Sequence, residues 1–432
     1  MILNFDNFQK ANQSGSKLNN IRIKNLNIFK EKGFPTKKEE NWKYTDLNRI
    51  LSNNLSKLEI LNDKKTSQYN SEWILKNFQH NQIILVNGDF VSSNFSFETK
   101  EKITIKPLKT ILNEEKDFEK IRNYFDEQEN SLNALNHALV NDGIFLKIED
   151  DYSFKKPLII YNFFNKFSEN KIINNKSIIL LGKNSKLSLL ECYRAESDIK
   201  YFNNTIHNYS IQKNAILKKY IMDNNLDNSY NYHFTNVKSY SNSIFENFLF
   251  SAGSSFIKNE IRCDLVETFS SCFINALIFL KNQQHHELKT NVNHKQENCK
   301  SSQLVKSALL DKSNGAYQGK IYVDKKAQKT NGYQLSKALV LSENSAFNSK
   351  PELEIYADDV KCSHGSTTGN IDQNSVFYLM SRGLSKEQAN RMLVEGFLNE
   401  AIETITEPNI KSLISKLFID KINKTKFEIN EH

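Results

Sequence analysis

The chain has few of the residues that staple or punctuate a fold: its 432 residues include 5 cysteines, 5 prolines and 13 glycines. Cys192, Cys263, Cys272, Cys299 and Cys362 are odd in number and widely scattered. That excludes a disulfide framework and points to a reducing, cytoplasmic setting. Scarce glycine and proline exclude a collagen-like repeat, extended disorder and a turn-rich sandwich. No stretch of about 18 apolar residues occurs, so no membrane-spanning helix is expected. The opening MILNFDNFQKANQSG lacks a basic flank followed by an apolar core, which argues against a secretory signal. Charge of one sign is lacking too. Lys and Arg total 58 against 50 Asp and Glu, a formal charge of +8. The two signs are interleaved, so a mixed solvated surface is expected and nucleic-acid contact is not. The Gly-x-x-x-x-Gly-Lys-Ser/Thr loop, Gly-x-Gly-x-x-Gly after a strand and the Gly-x-Ser-x-Gly elbow are all missing. The chain is therefore expected to be no enzyme, and in particular no ATPase.

What is present divides into regions of different pattern, as the length allows. Residues 1–80 read as helical: Leu18, Ile21, Leu26, Ile28 and Phe29 form a stripe that Gly33-Phe34-Pro35 breaks, and Leu47, Ile50, Leu51 and Leu55 resume helical spacing. Trp42 and Tyr44 read as anchors onto the main body. Residues 81–142 form a mixed α/β connecting segment, with strand-like IILVNGDFV and ITIKPL and an amphipathic helix near 121–139. Residues 143–368 are dominated by short β-like runs such as GIFLKI, PLIIYNFF, SIILLG, LSLLECY, FINALIFL and KIYVD. Small polar turns at 183–185, 213–215, 241–243 and 270–271 recur about every 28–30 residues, and those at 313–315 and 343–345 are similarly spaced. A fixed period of this length signals a solenoid, and strands without intervening helices favour a parallel β-helix. The competitor is a β-sandwich, which would turn every 8–12 residues or so with more glycine. Residues 369–432 return to helix. Ser385 with Gln388 forms a capping box. Ala389, Met392, Leu393, Phe397, Ala401 and Ile405 follow a period near 3.6, and Glu407-Pro408 ends that helix. A second helix runs from Ile410 with Leu413, Ile414, Leu417 and Phe418 on one face. These helices are expected to pack on each other and on the solenoid end, the functional reading adding a protein partner on the remaining face.

The chemistry concentrates in residues 350–369, KPELEIYADDVKCSHGSTTG. In a strand, Cys362 and His364 project from one face roughly 6.5–7 Å apart. A thiolate and an imidazole so placed can both reach a soft or borderline metal. Taken alone, the pair is explained more simply as a buried cysteine beside a satisfied histidine. Asp358 and Asp359 either orient His364 as acceptors or close the strand at a solvated turn. His285, His286 and His294, with Glu287 and Cys299, form a second cluster that matches no zinc pattern and reads as solvated polar residues on a coil. Cys192, Cys263 and Cys272 read as core.

The segment from Cys362 to Gly369, continued through Ile371, Asp372 and FYLMSRG (377–383) and preceded by KIYVDKKAQKTNGYQ (320–334), resembles the SufB/SufD family of iron–sulfur cluster assembly proteins. ENWKYTDL (40–47), following Gly33-Phe34-Pro35, resembles that family's N-terminal signature. The likeness spans about residues 33–405. It implies a mainly β protein: a right-handed parallel β-helix core flanked by N-terminal and C-terminal helical domains. It also implies a heterodimer with a SufB-like subunit through the β-helix, a possible homodimer when alone, and a separate SufC-like ABC ATPase docked on the C-terminal helices. Phe377, Arg382, Met392, Leu393 and Phe397 are the candidate partner contacts. By the same resemblance His364 becomes a ligand for iron or an iron–sulfur cluster, transient and shared with the partner, and Cys362 a supporting group. Some relatives are associated with reduced flavin, and no motif locates a flavin site here. Gly365 follows the histidine where SufB-like chains usually carry Glu, and the clustered N-terminal cysteines common in SufB are missing, so the resemblance is to the SufD type. A SufB-like scaffold paralogue and a structural paralogue without metal are the family alternatives. A β-helix carbohydrate-active enzyme, which needs several carboxylates along one groove, is the enzymatic one.

Overall fold

The computed structural model describes residues 3, 5, 16–55, 57–61, 68–126, 130–223 and 228–427; most of the opening segment read above as no secretory signal lies outside them. From Asp142 onward the chain alternates between two facing sheets. The first sheet runs from Asp142–Ile148 through Lys171–Leu181, Tyr201–Ile211, Ser229–Ser239, Phe256–Leu265, His285–His294 and Asn314–Val323 to Ala346–Ile355. The second runs from Leu158–Phe164 through Lys186–Ala195, Ile216–Asp223, Ile244–Ser251, Ser271–Leu280, Lys300–Leu309 and Thr330–Val340 to Val360–Gly369. Successive neighbours pair in parallel register. This is the expected parallel β-helix. Antiparallel strands Asp89–Asn94 and Ile103–Pro107 close its N-terminal end.

Coil closure explains the sequence period. At the corner from the first sheet to the second, Asn184, Asn214, Asn242, Phe269, Asn298 and Lys329 have positive φ. Asn170, Asp198, Ser254, Asn282 and Asp311 do the same at the opposite corner. Asn and Asp tolerate this left-handed conformation better than other residues with a side chain. Neighbouring coils also join through these side chains: Asn214 Nδ2 donates to Asn184 Oδ1 at 2.7 Å, and Asn184 Nδ2 to Asp151 Oδ1 at 2.6 Å. Corner serines Ser185, Ser270 and Ser313 each donate to the carbonyl three residues back. The turns at 183–185, 213–215, 241–243 and 270–271 stack at one corner, whereas those at 313–315 and 343–345 lie at the other. One repeat of sequence therefore carries two corners built from the same chemistry.

Inward side chains make the core. Ile179, Leu189, Tyr209, Leu217, Val237, Leu249, Ile261, Ile274, Val292 and Val305 are buried between the sheets, each large apolar side chain contributing on the order of 1.5–3 kcal/mol. The N-terminal region covers the outer face of the first sheet. Trp42 is wholly buried there, its ring centroid 5.6 Å from that of Tyr232. The helix Lys17–Lys32 ends at Gly33, as its sequence indicates. The continuous helix expected near 121–139 is instead two, Glu115–Ile121 and Ser131–Leu139, the second started by Asn130, whose side chain accepts from Leu132 N and Asn133 N.

The C-terminal helices lie against the outer face of the second sheet and not on the solenoid end as expected, because the apolar outward side chains of the strands Ser271–Leu280 and Lys300–Leu309 are there to be covered. Val394, Leu398 and Ala401 of the helix Lys386–Ile402 join Leu277, Phe279 and Ala308 of the sheet in one buried cluster. Ser385 and Gln388 form the expected capping box. Pro408 opens the last helix, Pro408–Asn423, two residues ahead of the expected Ile410, at the turn where its missing N–H costs nothing.

Candidate functional site

Cys362 and His364 lie on Val360–Gly369, the outermost strand of the second sheet. It pairs on one side only, with Gly332 opposite Cys362 and Gln334 opposite His364. Parallel pairing keeps paired residues on one face, and Gln334 is buried between the sheets. His364 therefore faces the solenoid axis, yet it is exposed because no further coil stacks beyond it. Behind it the axis is polar: Thr290 Oγ1 and Tyr317 OH donate to Gln303 Oε1 at 2.5 and 2.9 Å. The solenoid thus ends in an open mouth with an imidazole on its rim. The first sheet ends beside it in the likewise one-sided strand Ala346–Ile355. Two unpaired edges next to one another are a template for strand addition.

Cys362 is half-buried against Val360, Leu353, Ile321 and Val323. Burial pushes its thiol above the ordinary range, so it is not a spontaneous nucleophile at neutral pH; a metal would have to displace its proton. A Cβ built on Gly332 would stand 3.4 Å from Cys362 Sγ and 3.3 Å from Ile321, so glycine there gives the thiol its room. Gly365 lies on the opposite, outer face, where a Cβ would meet Leu335 at 3.3 Å. Among the described residues no three His, Cys, Asp or Glu side chains converge on a common point. The mouth offers one imidazole and one protonated thiol, too few donors to hold a metal ion by themselves.

Other candidate residues fall elsewhere. Asp358 and Asp359 form the exposed bend between the last two strands; the Asp359 carbonyl accepts from Lys329 N at 2.6 Å, and its N–H donates to Gln328. They close the strand at a solvated turn. The second histidine cluster, expected to be solvated, is largely buried. His286, Glu287, His294 and Cys299 are buried, because the N-terminal region covers the outer face of that sheet and the coils stack over the inner one. His285 and Glu287 point outward onto Thr45, whereas His286 and His294 point inward onto Ser251 and Ser301, both at 2.8 Å. The sheet separates them, so they form no common site. Cys192, Cys263 and Cys272 are core, as expected.

On the C-terminal helices, Phe377 (74% exposed), Tyr378 (57%) and Met392 (53%) stand in solvent. Two adjoining hollows of about 420 and 400 Å³ share Met392; Tyr378, Leu379 and Leu393 line one, and Leu384, Gln388 and Arg391 the other. Arg382 is exposed, its guanidinium 5.3 Å from the Tyr378 ring centroid. Phe397 occupies an inner position: half-buried, with the Lys306 ammonium 4.3 Å from its ring centroid. Sequence reasoning missed Tyr378. Its signal was available, because four consecutive large apolar residues, FYLM, cannot all face inward on a helix.

Comparison with known proteins covers nearly the whole chain. Residues 163–397 match the family described as SUF system FeS cluster assembly, SufBD core domain, and residues 5–160 match the SufBD protein N-terminal region. The chain is 24% identical over 388 residues to iron-sulfur cluster assembly protein SufD of Escherichia coli, covering 88% of each. It is 24% identical over 388 residues to an iron-sulfur cluster assembly SufBD family protein of Synechocystis, covering 86% of this chain and 84% of that one. It is also 24% identical over 429 residues to a protein of Arabidopsis thaliana named ABCI7, chloroplastic, covering 94% and 86%.

Proposed function

This chain belongs to the SufBD family of iron–sulfur cluster assembly proteins, and from that premise we propose that it is the SufD-type, non-catalytic scaffold subunit of an assembly complex. Its two open sheet edges pair with the corresponding edges of a SufB-like subunit. A second copy of the chain takes that place when no SufB-like subunit is present. The exposed face around Phe377, Arg382, Met392 and Leu393 receives a SufC-like ATPase, which supplies the energy that this chain has no nucleotide loop to extract. At the joint, His364 holds incoming iron or the nascent cluster together with groups of the partner, and Cys362 supports it. The metal is cargo, and two weak ligands suit a site that must let its cargo leave.

The observation that carries this reading is the position of His364: facing the solenoid axis, exposed, and on a strand with one unpaired edge. An imidazole at a surface that another chain would cover is what a shared site requires. Gly365 supports the SufD type, since it leaves the outer face of that strand without the carboxylate of SufB-like chains. The five cysteines are all free thiols, in keeping with a reducing, cytoplasmic compartment. No described helix is long and apolar enough to cross a membrane.

Anaerobic co-expression with a SufB-like and a SufC-like subunit tests the assignment. The expected product is a stable complex containing all three chains that accumulates iron and acid-labile sulfide, with less of both when this chain is omitted. Failure of the three to co-purify would contradict it.

A further inference from the structure

The N-terminal signature ENWKYTDL has a second feature besides its buried anchor. Trp42 and Thr45 point into the solenoid wall, but Tyr44, Asp46 and Arg49 line the rim of a cavity of about 410 Å³ between this segment and the outer face of the first sheet. Lys37 completes the rim, and the floor is His285, Asn314, Ala316 and Asn348. The register explains the hollow. Ala316 stands between Glu287 and Asn348 on neighbouring strands, so one short side chain interrupts a column of long polar ones.

The charges of this cavity are unspent. Other cations nearby are paired: Lys258 with Glu287 and Lys350 with Glu40. Among the described residues neither Lys37 nor Arg49 is paired with an acid, although both are exposed on the rim. The single carboxylate there, Asp46, accepts from the backbone N–H of Arg49 at 2.9 Å as the cap of the helix Leu47–Asn54. The lining therefore carries two cations against one anion whose Oδ1 is already engaged. It adds the amide of Asn348 and the flank of the Tyr44 ring. On the floor, His285 spends Nε2 on Thr45 Oγ1, 2.8 Å away.

We propose that this cavity binds a small phosphorylated molecule of mononucleotide size. The volume lies within the range of small-molecule sites. A guanidinium offers paired donors to phosphate oxygens and an ammonium adds a point charge, and Tyr44 offers an aromatic wall to the organic part. Because Lys37 and Arg49 belong to the N-terminal segment and Asn348 to the solenoid, the ligand bridges the two and staples the segment down. The site opens on the outer face of the first sheet, whereas His364 faces the axis; Asn348 lies on the edge strand Ala346–Ile355 that borders the mouth, but the proposal does not depend on how iron is handled.

Titration calorimetry and thermal unfolding of the full chain with AMP, inorganic phosphate and adenosine test this. AMP is expected to bind saturably with a Kd below about 1 mM, inorganic phosphate more weakly, adenosine undetectably, and AMP binding is expected to weaken with added salt. The double variant Lys37→Ala/Arg49→Ala, both exposed positions, should lose at least tenfold in AMP affinity while its unfolding temperature without ligand stays unchanged. Asn348→Asp, which places a carboxylate on the floor from the solenoid side, should do the same. Lys213→Ala, an exposed corner lysine outside the cavity lining, should bind as the unaltered chain does. The proposal is overturned by absence of saturable AMP binding, by adenosine binding as well as AMP, or by unchanged affinity in the double variant.

Discussion

Lys258 Nζ lies 2.5 Å from Glu287 Oε1, with both side chains fully buried, and its ammonium is 4.3 Å from the centroid of the Trp42 ring. Gln318 also donates to Glu287 at 2.5 Å, and Lys258 donates to the Asn41 carbonyl at 2.9 Å. A buried pair of this kind holds the N-terminal segment to the solenoid wall, and its worth lies in being complete. Glu287→Ala leaves the buried Lys258 ammonium with only the more distant Glu260 carboxylate, 3.8 Å away, as a counter-charge and is expected to cost about 3 kcal/mol. Replacing both partners, Lys258→Met with Glu287→Leu, should cost markedly less. Urea unfolding of the two variants checks this; equal losses would contradict it.

Buried histidines set the acid limit of the fold. Burial lowers His233 and His286 to about 3 and His294 to about 4. Unfolded histidines titrate near 6.5, so below that pH the unfolded chain binds protons that the native one refuses. Stability is then complete above about pH 6.5 and falls continuously as the pH drops toward 4 and 3. Between pH 7.5 and 5.5 these three groups together should remove on the order of 4 kcal/mol. Urea midpoints at the two pH values measure it, and an unchanged midpoint would refute the neutral buried state.

The exposed face of the C-terminal helices should separate binding from stability. Phe377→Asp with Met392→Asp changes two exposed side chains and is expected to alter folding stability by no more than about 1 kcal/mol. It should weaken capture of a SufC-like ATPase by about 30-fold or more, the loss of an apolar hot spot. Phe397→Ala, which removes the ring beneath Lys306, should instead destabilise the chain by about 1–3 kcal/mol. Binding measured by calorimetry and unfolding measured on the same samples distinguish the two roles.

The solenoid was legible where its strands are apolar and its corners carry Asn and Ser. Leu158–Phe164, Lys186–Ala195 and Ser271–Leu280 read directly as strands. Tyr201–Ile211, Ser229–Ser239 and His285–His294 did not, because they are rich in Asn, His, Thr and Lys. Their polar side chains are buried all the same, inward ones bonding across the axis as Lys219 does to Thr235 at 3.0 Å, outward ones beneath the N-terminal segment. A polar residue on a strand therefore carried no signal of exposure, and His286 and His294 were misjudged for that reason. Of the site, the pairing of Cys362 with His364 on one face followed from alternation alone. Their place at an open end did not, since it depends on where the coil count stops. Lys37, Arg49 and Asn348 are up to 311 positions apart, and only the packing of the N-terminal segment onto the first sheet brings them together.

Whether the rim of the solenoid mouth handles iron is tested most directly by His364→Ala in the anaerobically reconstituted three-chain complex. Subunit composition by size exclusion and iron and sulfide content are measured on the same fractions. The account predicts an intact complex whose iron and sulfide fall to background, with Cys362→Ser reducing them only in part. An intact His364→Ala complex carrying as much iron and sulfide as the unaltered one would contradict it.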